Sequence, residues 1–217
     1  MSKAFPLLLA LAGALVSLPA AAADVAAGQQ KAAMCIGCHG IAGYQASFPE
    51  IHKVPKISGQ SAKYIVAALT AYKKGERRHP TMRGLAASLS DEDMADLGAF
   101  YEQHGASSVK TVAAGSVREP SAAVAALFTR GACASCHGAN YNQPIDGTYP
   151  KIAGQHADYL YVALRSYKVQ GNPNVGRANA IMGAQVGQFS NAELKAMADY
   201  LATLPGDLRV VPQPRFR

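Results

Sequence analysis

Apolar residues recur along this chain mostly at helical spacing. Ile65, Leu69 and Tyr72 fall on one face of a predicted helix that follows Gly59-Gln60, and Leu160, Leu164 and Tyr167 fall on the matching face after Gly154-Gln155. A later helix is predicted to start at Ser90, with Asp93 three residues on as a capping-box-like partner, and carries Met94, Leu97 and Tyr101 as an apolar stripe. Its counterpart starts at Ser190 with Glu193, carries Leu194, Met197 and Leu201, and stops at Pro205-Gly206. A first helix runs from about Asp24 into the segment around Cys35, and another from about Ser121 into the segment around Cys133. No stretch alternates convincingly with a period of two, so the expected fold is all-α, with about three main helices and long loops in each half.

The halves are one unit written twice. Pro55-Lys-Ile-Ser-Gly-Gln60 recurs as Pro150-Lys-Ile-Ala-Gly-Gln155, and Tyr64, Leu69, Tyr72 and Lys73 recur as Tyr159, Leu164, Tyr167 and Lys168. Met82 recurs as Met182, and Leu89-Ser90 as Phe189-Ser190. Only two copies occur, which marks domain duplication rather than a solenoid. The boundary is expected in the polar stretch Ser107 to Pro120, giving units at 24–110 and 121–217 joined by a linker at 111–120. Residues 1–23 read as a cleaved export signal: Lys3, then an apolar run from Phe5 to Leu18, then Ala20-Ala21-Ala22-Ala23. That run is too short to span a bilayer, which takes roughly 20 apolar residues, and no later segment qualifies.

Composition narrows the picture further. Ala and Gly supply much of the apolar fraction and Trp is absent, so each unit has a small core of the kind that usually needs a metal or cofactor as a staple. All four Cys lie in two C-x-x-C pairs, each followed directly by His: Cys35-Ile-Gly-Cys38-His39 and Cys133-Ala-Ser-Cys136-His137. A disulfide framework has no use for those histidines. A zinc ribbon needs its pairs far closer together, and a thioredoxin-like redox pair needs a βαβ setting. The pattern is the attachment signature of c-type haem, in which Cys35, Cys38, Cys133 and Cys136 form thioethers and His39 and His137 ligate iron from the near side. Two covalently bound haem c groups are therefore expected. Their propionates would offset much of the formal net charge of +7, which weakens any case for nucleic-acid binding.

A second axial ligand is sought among the methionines, because His/Met ligation suits electron transfer. Met34 abuts the attachment site, and Met94 and Met197 lie on helical apolar stripes. Met82 follows Pro80 in an expected loop, Met182 lies in an expected Gly/Asn-rich loop, and their repeat positions agree; they are the expected iron ligands. His52, His79, His104 and His156 lack counterparts in the other repeat and read as surface or loop histidines, His79 being notable for its nearness to Met82. In the Pro-Lys-Ile-x-Gly-Gln segments, Gly59 and Gly154 suit a close backbone approach, Ile57 and Ile152 suit packing on a haem face, and Tyr64, Tyr72, Tyr159 and Tyr167 suit either propionate hydrogen bonding or plain packing. Lys73, Lys74, Arg77, Arg78 and Arg83 crowd around Met82, whereas Lys168 and Arg177 are alone in the matching span; the cluster reads either as a solvated loop or as a patch that steers an acidic partner.

On these motifs, and over nearly the whole chain after the export signal, the sequence resembles the dihaem cytochrome c4 family of class I c-type cytochromes. The resemblance implies two tandem cytochrome c-like domains packed as a pseudo-symmetric pair in a bacterial periplasm, with haem propionate edges near each other. It implies an electron carrier without substrate turnover of its own, serving redox protein partners such as a terminal oxidase or a membrane-bound donor, with peripheral membrane association an open matter. One departure is the Gly171 to Ile181 stretch, Asn-rich and longer than its counterpart after Tyr72. The alternative is a cytochrome subunit of an oxidoreductase complex, such as a sulfide or alcohol dehydrogenase. A dihaem peroxidase needs an iron position that is open or can open, which two methionine ligands argue against.

Overall fold

A computed structural model describes residues 23–106 and 119–212. The expected export segment, apart from its last residue, lies outside the described residues, and so does 111–118 of the expected linker. Each half is an all-α unit, as expected, but with five helices among the described residues rather than about three main ones. The first unit has α1 (Val25–Lys31), α2 (Ala33–His39), α3 (Ala62–Lys74), α4 (Pro80–Ala87) and α5 (Asp91–Gln103). The second has α6 (Ala122–Arg130), α7 (Ala134–His137), α8 (Ala157–Ser166), α9 (Ala180–Gly187) and α10 (Asn191–Thr203).

Two effects account for the extra helices. The expected first helix of each unit breaks just before the Cys motif, at Ala32 in the first unit and at Gly131-Ala132 in the second, where Ala132 takes a positive φ of 45°. The segments expected as methionine loops are instead the short helices α4 and α9. Pro80 sits in the first turn of α4, where its missing N–H costs nothing and its fixed φ favours a helix start. The start of the last helix agrees with expectation in both units. Ser90 and Asp93 form a capping box on α5, and Ser190 and Glu193 form one on α10.

Each unit has its own core. In the first, Ile65 from α3 packs with Met94, Leu97, Phe100 and Tyr101 from α5. In the second, Phe128 and Leu160 pack with Leu194, Met197, Ala198 and Leu201 from α10. In the first unit α1 crosses α5 so closely that a Cβ on Gly28 would lie 2.1 Å from the Asp96 carbonyl oxygen, which glycine alone avoids.

The units are joined by the repeated loops themselves. The Lys56 amide donates to Gln155 Oε1 at 3.0 Å, and Gln155 Nε2 returns a bond to the Lys56 carbonyl at 2.9 Å. The mirror pair runs from the Lys151 amide to Gln60 Oε1 at 3.0 Å and from Gln60 Nε2 to the Lys151 carbonyl at 3.0 Å. Lys56 Nζ reaches the Gly154 carbonyl at 2.6 Å, and Lys151 Nζ reaches the Gly59 carbonyl at 2.9 Å. Gly59 and Gly154, both at positive φ, allow the close approach the sequence suggested; a Cβ would lie 2.4 Å from Asp207 O and 3.0 Å from Leu204 O respectively. Two short antiparallel pairs complete the structure. β1 (Gln45–Ala46) pairs with β2 (His52–Lys53) inside the first unit, and β3 (Arg77–Arg78) pairs with β4 (Gly176–Arg177) across the two. Among the described residues no helix is long and apolar enough to cross a membrane.

Candidate functional site

The Cys motifs sit at equivalent places in the two units. Cys35 and Cys38 lie on α2, and Cys136 on α7 immediately after Cys133 at its cap. His39 ends α2, and its Nδ1 lies 2.8 Å from the carbonyl oxygen of Pro55; His137 ends α7 with Nδ1 3.0 Å from the Pro150 carbonyl oxygen. A carbonyl accepts only, so each imidazole is held as the Nδ1–H tautomer with Nε2 as its free lone pair. Burial pushes both histidines below the ordinary imidazole pKa, although the Pro55 and Pro150 carbonyls work the other way. A neutral, oriented imidazole with an unprotonated Nε2 is what metal ligation requires. The proline of each repeated loop thus acts through its carbonyl.

Met82 and Met182 both occupy the first turn of a short helix and are half-buried. His79 caps α4 through Nδ1, 3.5 Å from the Met82 amide, and Asn179 caps α9 through Oδ1, 2.9 Å from the Met182 amide. The repeat therefore gives His79 a counterpart in role, though not in residue type. The other methionines are placed as the sequence suggested: Met94 is core at 1% exposed, Met197 is core at 4%, and Met34 is 49% exposed. The long Gly171–Ile181 stretch does not disturb Met182. Its extra residues form a turn in which Asn172 Oδ1 accepts from the Asn174 and Val175 amides, and the chain rejoins the repeat at β4.

The remaining histidines are structural, with one correction. His52 is buried, at 4% exposed, rather than on the surface, and its Nδ1 is 2.8 Å from the Glu50 carbonyl oxygen. The hairpin that carries it docks on the second unit, where the Lys53 amide donates to Asp158 and Glu50 pairs with Arg165. His104 caps α5 and hydrogen-bonds Ser58 Oγ, and His156 caps α8 with its pKa brought down to about 4 by burial and the nearby Lys56.

Two arginines take a place that the sequence reading did not give them. Arg77 and Arg177 face each other in the β3–β4 pair at the junction of the units. Arg77 Nη2 donates to the Tyr159 hydroxyl at 2.7 Å and its Nη1 to the Tyr64 hydroxyl at 3.3 Å, while Arg177 Nη2 donates to Tyr159 at 3.1 Å. Arg77 lies over the Tyr72 ring at 4.5 Å and Arg177 over the Tyr167 ring at 5.4 Å. Burial alone would push the Tyr159 phenol up, but the two guanidiniums outweigh it and bring the phenol down to about 8. Among the described residues no carboxylate pairs with either arginine, and the buried Arg77 Nε has no acceptor. Two half-buried like charges with an unfilled donor suit acidic groups, and the propionates of haem c would supply them. The tyrosines expected either to bind propionates or to pack converge here. A sequence signal existed: Arg77 precedes Met82 by the same interval as Arg177 precedes Met182.

This corrects the basic patch read around Met82. Arg77 turns into the junction, and Arg78 turns to the Gly75 and Asn172 carbonyls. Lys73 Nζ donates to the Leu89 carbonyl, as Lys168 does to Phe189, so this repeated lysine closes the turn before α5 and α10. Lys73, Lys74 and Arg83 remain at the exposed surface.

A family model described as cytochrome c matches residues 25–104 and again 121–205. The chain is 32% identical to cytochrome c4 of Azotobacter vinelandii over 94% of its own length and 100% of that protein. The chain belongs to the cytochrome c family, in its duplicated cytochrome c4 branch. It accordingly carries two covalently bound haem c groups, for which the Cys pairs, the carbonyl-held histidines and the arginines without a carboxylate partner are fitted. Its fold superposes on the crystal structure of reduced recombinant cytochrome c4 from Pseudomonas stutzeri with a TM-score of 0.62 and 29% identity, covering 85% of this chain and 100% of that one. It is also 31% identical to a protein named thiosulfate dehydrogenase electron acceptor, from Stutzerimonas stutzeri, over 89% of this chain and 92% of that protein. This cytochrome c4 relative is therefore a dihaem c-type electron carrier.

Proposed function

We propose that the protein works in the periplasm after removal of residues 1–23, passing electrons between a dehydrogenase or membrane-bound donor and an acceptor such as a terminal oxidase, with units at 24–110 and 121–217. The observation that carries the reading is the junction, where the repeated loops and the Arg77–Arg177 pair hold two equivalent sites against each other. When bound, each haem supplies a one-electron ferric/ferrous couple. Cys35, Cys38, Cys133 and Cys136 hold the groups covalently. His39 and His137, fixed by the Pro55 and Pro150 carbonyls, would hold each iron together with Met82 and Met182. An iron ligated in this way from the chain would leave no room for substrate, which fits a carrier rather than a peroxidase.

Arg77 and Arg177 keep two half-buried positive charges at the junction, where they would stabilise the electron-richer state of both sites. Arg77→Gln is expected to lower both midpoint potentials by roughly 30–60 mV, since a tenfold change in a one-electron equilibrium is about 59 mV. Redox titration followed by visible absorption measures this, and unchanged potentials would remove the arginines from the tuning role.

A second reading is favoured by the likeness to a thiosulfate dehydrogenase electron acceptor: the donor is a sulfur-compound dehydrogenase. Stopped-flow reduction tests the two readings together. The oxidised protein is mixed with a thiosulfate dehydrogenase plus thiosulfate, and the reduced protein with oxidase-containing membranes. Fast reduction by the first supports the dehydrogenase partner, and fast oxidation by the second supports delivery to an oxidase. Failure of both would overturn the carrier role.

A further inference from the structure

The start of the first unit holds a charge cluster that electron transfer does not use. The Asp24 backbone nitrogen donates to Asp96 Oδ1 at 2.7 Å. Lys31 Nζ reaches Asp96 Oδ2 at 2.6 Å and Asp93 Oδ1 at 2.8 Å. The Asp24 carboxylate caps α1, accepting from the Ala26 amide at 2.7 Å and the Ala27 amide at 3.2 Å. Asp96 is only 2% exposed, fixed where α1 crosses α5 at Gly28. Two carboxylates, those of Asp93 and Asp96, thus share the single ammonium of Lys31. A buried carboxylate short of positive charge is costly, so the cluster lacks a second cation.

The second unit supplies an internal control. Ser121 caps α6 as Asp24 caps α1, and Arg130 pairs with Glu193 at 2.6 Å as Lys31 pairs with Asp93. Yet Ala196 stands on α10 where Asp96 stands on α5. The buried carboxylate occurs only in the repeat that export processing would leave with a free start. Ser121 lies mid-chain, so its nitrogen is always an amide.

We propose that export processing cuts between Ala23 and Asp24, and that the α-ammonium so formed makes an ion pair with buried Asp96 that completes the first unit. This rests on reading residues 1–23 as an export signal. A peptidase of the class that processes exported proteins hydrolyses the Ala23–Asp24 amide with water. The hydroxyl joins the Ala23 carbonyl carbon, hydrogen joins the Asp24 nitrogen, and that amine takes up a proton at neutral pH. The nitrogen already lies at hydrogen-bond distance from Asp96, so no rearrangement is needed. Cleavage converts an amide contact into a charge-assisted one and supplies the missing cation. It also ties down the start of α1, which leads directly into the helix bearing Cys35 and His39.

The pair has a definite pH signature. Asp96 is faced by Lys31 and the Asp24 nitrogen from the α1 side and by Asp93 along α5; Lys31, and then the Asp24 amide, hold its carboxyl below the usual carboxylate range. The carboxylate in turn raises the pKa of the amine. A raised amine pKa means stabilisation that is whole below the ordinary α-amino value of roughly 8 and is lost as pH rises through the raised value.

The test uses holoprotein matured in an export-competent host. Intact mass gives the first residue, and the pH dependence of α-amine acylation gives its titration midpoint. The expected result is a chain starting at Asp24 whose amine titrates at least about one unit above the ordinary value of roughly 8. Inserting one Gly before Asp24 keeps Asp96 and the backbone contact but moves the ammonium away. That variant, its start checked by mass, should titrate near the ordinary value and melt roughly 2–4 °C lower at pH 6. Asp96→Asn should return the amine to the ordinary value as well. A chain that starts elsewhere overturns the proposal together with the reading of the signal. A chain that starts at Asp24 but titrates at the ordinary value, with or without the insertion, overturns the ion pair and leaves the signal reading standing.

Discussion

Met82→His is expected to lower the midpoint potential of one haem by on the order of 0.2–0.4 V, within the roughly 0.8 V that axial ligands command. The other haem should shift far less. A thioether is a soft, neutral acceptor that favours ferrous iron, whereas imidazole is a stronger donor that stabilises ferric iron. Met182→His should do the same at the second site. The two substitutions are well matched as probes because α4 and α9 present the residues identically, each in a first turn behind a polar cap at His79 or Asn179. Spectroelectrochemical titration gives both potentials, and loss of the methionine–iron absorption band in half the sites gives the stoichiometry. If Met82→His leaves both potentials and the band unchanged, that iron takes its ligand from another residue. Met94 is a poor substitute, being 1% exposed within the core stripe of α5.

Removing one attachment pair should have the largest structural effect. Cys133→Ser with Cys136→Ser is expected to give a protein whose denatured mass contains one haem instead of two. The second unit should then fail to fold stably on its own. Its core is assembled from short helices, α7 being only four residues, and cores of this size need a staple. The loss should also reach the first unit, because Gln60 and Lys151 and their mirror partners Gln155 and Lys56 bond across the junction. Intact-mass measurement and thermal unfolding followed by circular dichroism measure the two effects. A single-haem protein with an unaltered unfolding profile would mean that the units are energetically independent. Two haem masses surviving the double substitution would mean that the motif is not the attachment site.

Much of this architecture was legible because its signals are local. The stripes on α5 and α10 follow from helical periodicity, and their starts from the Ser90–Asp93 and Ser190–Glu193 boxes. The Cys motifs name their cofactor by spacing alone, and duplication doubles every such signal. The readings that needed change had either too short a local signal or a long-range cause. Met82 and Met182 belong to helices because Pro80 and Asn179 start short turns too small to register as periodic patterns. His52, a polar residue in a loop by sequence, is buried because its hairpin docks on the other unit.

Arg77 illustrates the limit most clearly. In one dimension it sits among Lys73, Lys74, Arg78 and Arg83, and a run of like charges reads as surface. In three dimensions strand pairing with Arg177 turns it into the junction between units, beneath Tyr159. The sequence by itself determined the all-α duplicated fold, the haem attachment points and the apolar faces of each unit's helices, since these rest on repeated local spacing. Only the tertiary structure decided which charges are buried, because burial depends on residues far apart in the chain meeting at one place.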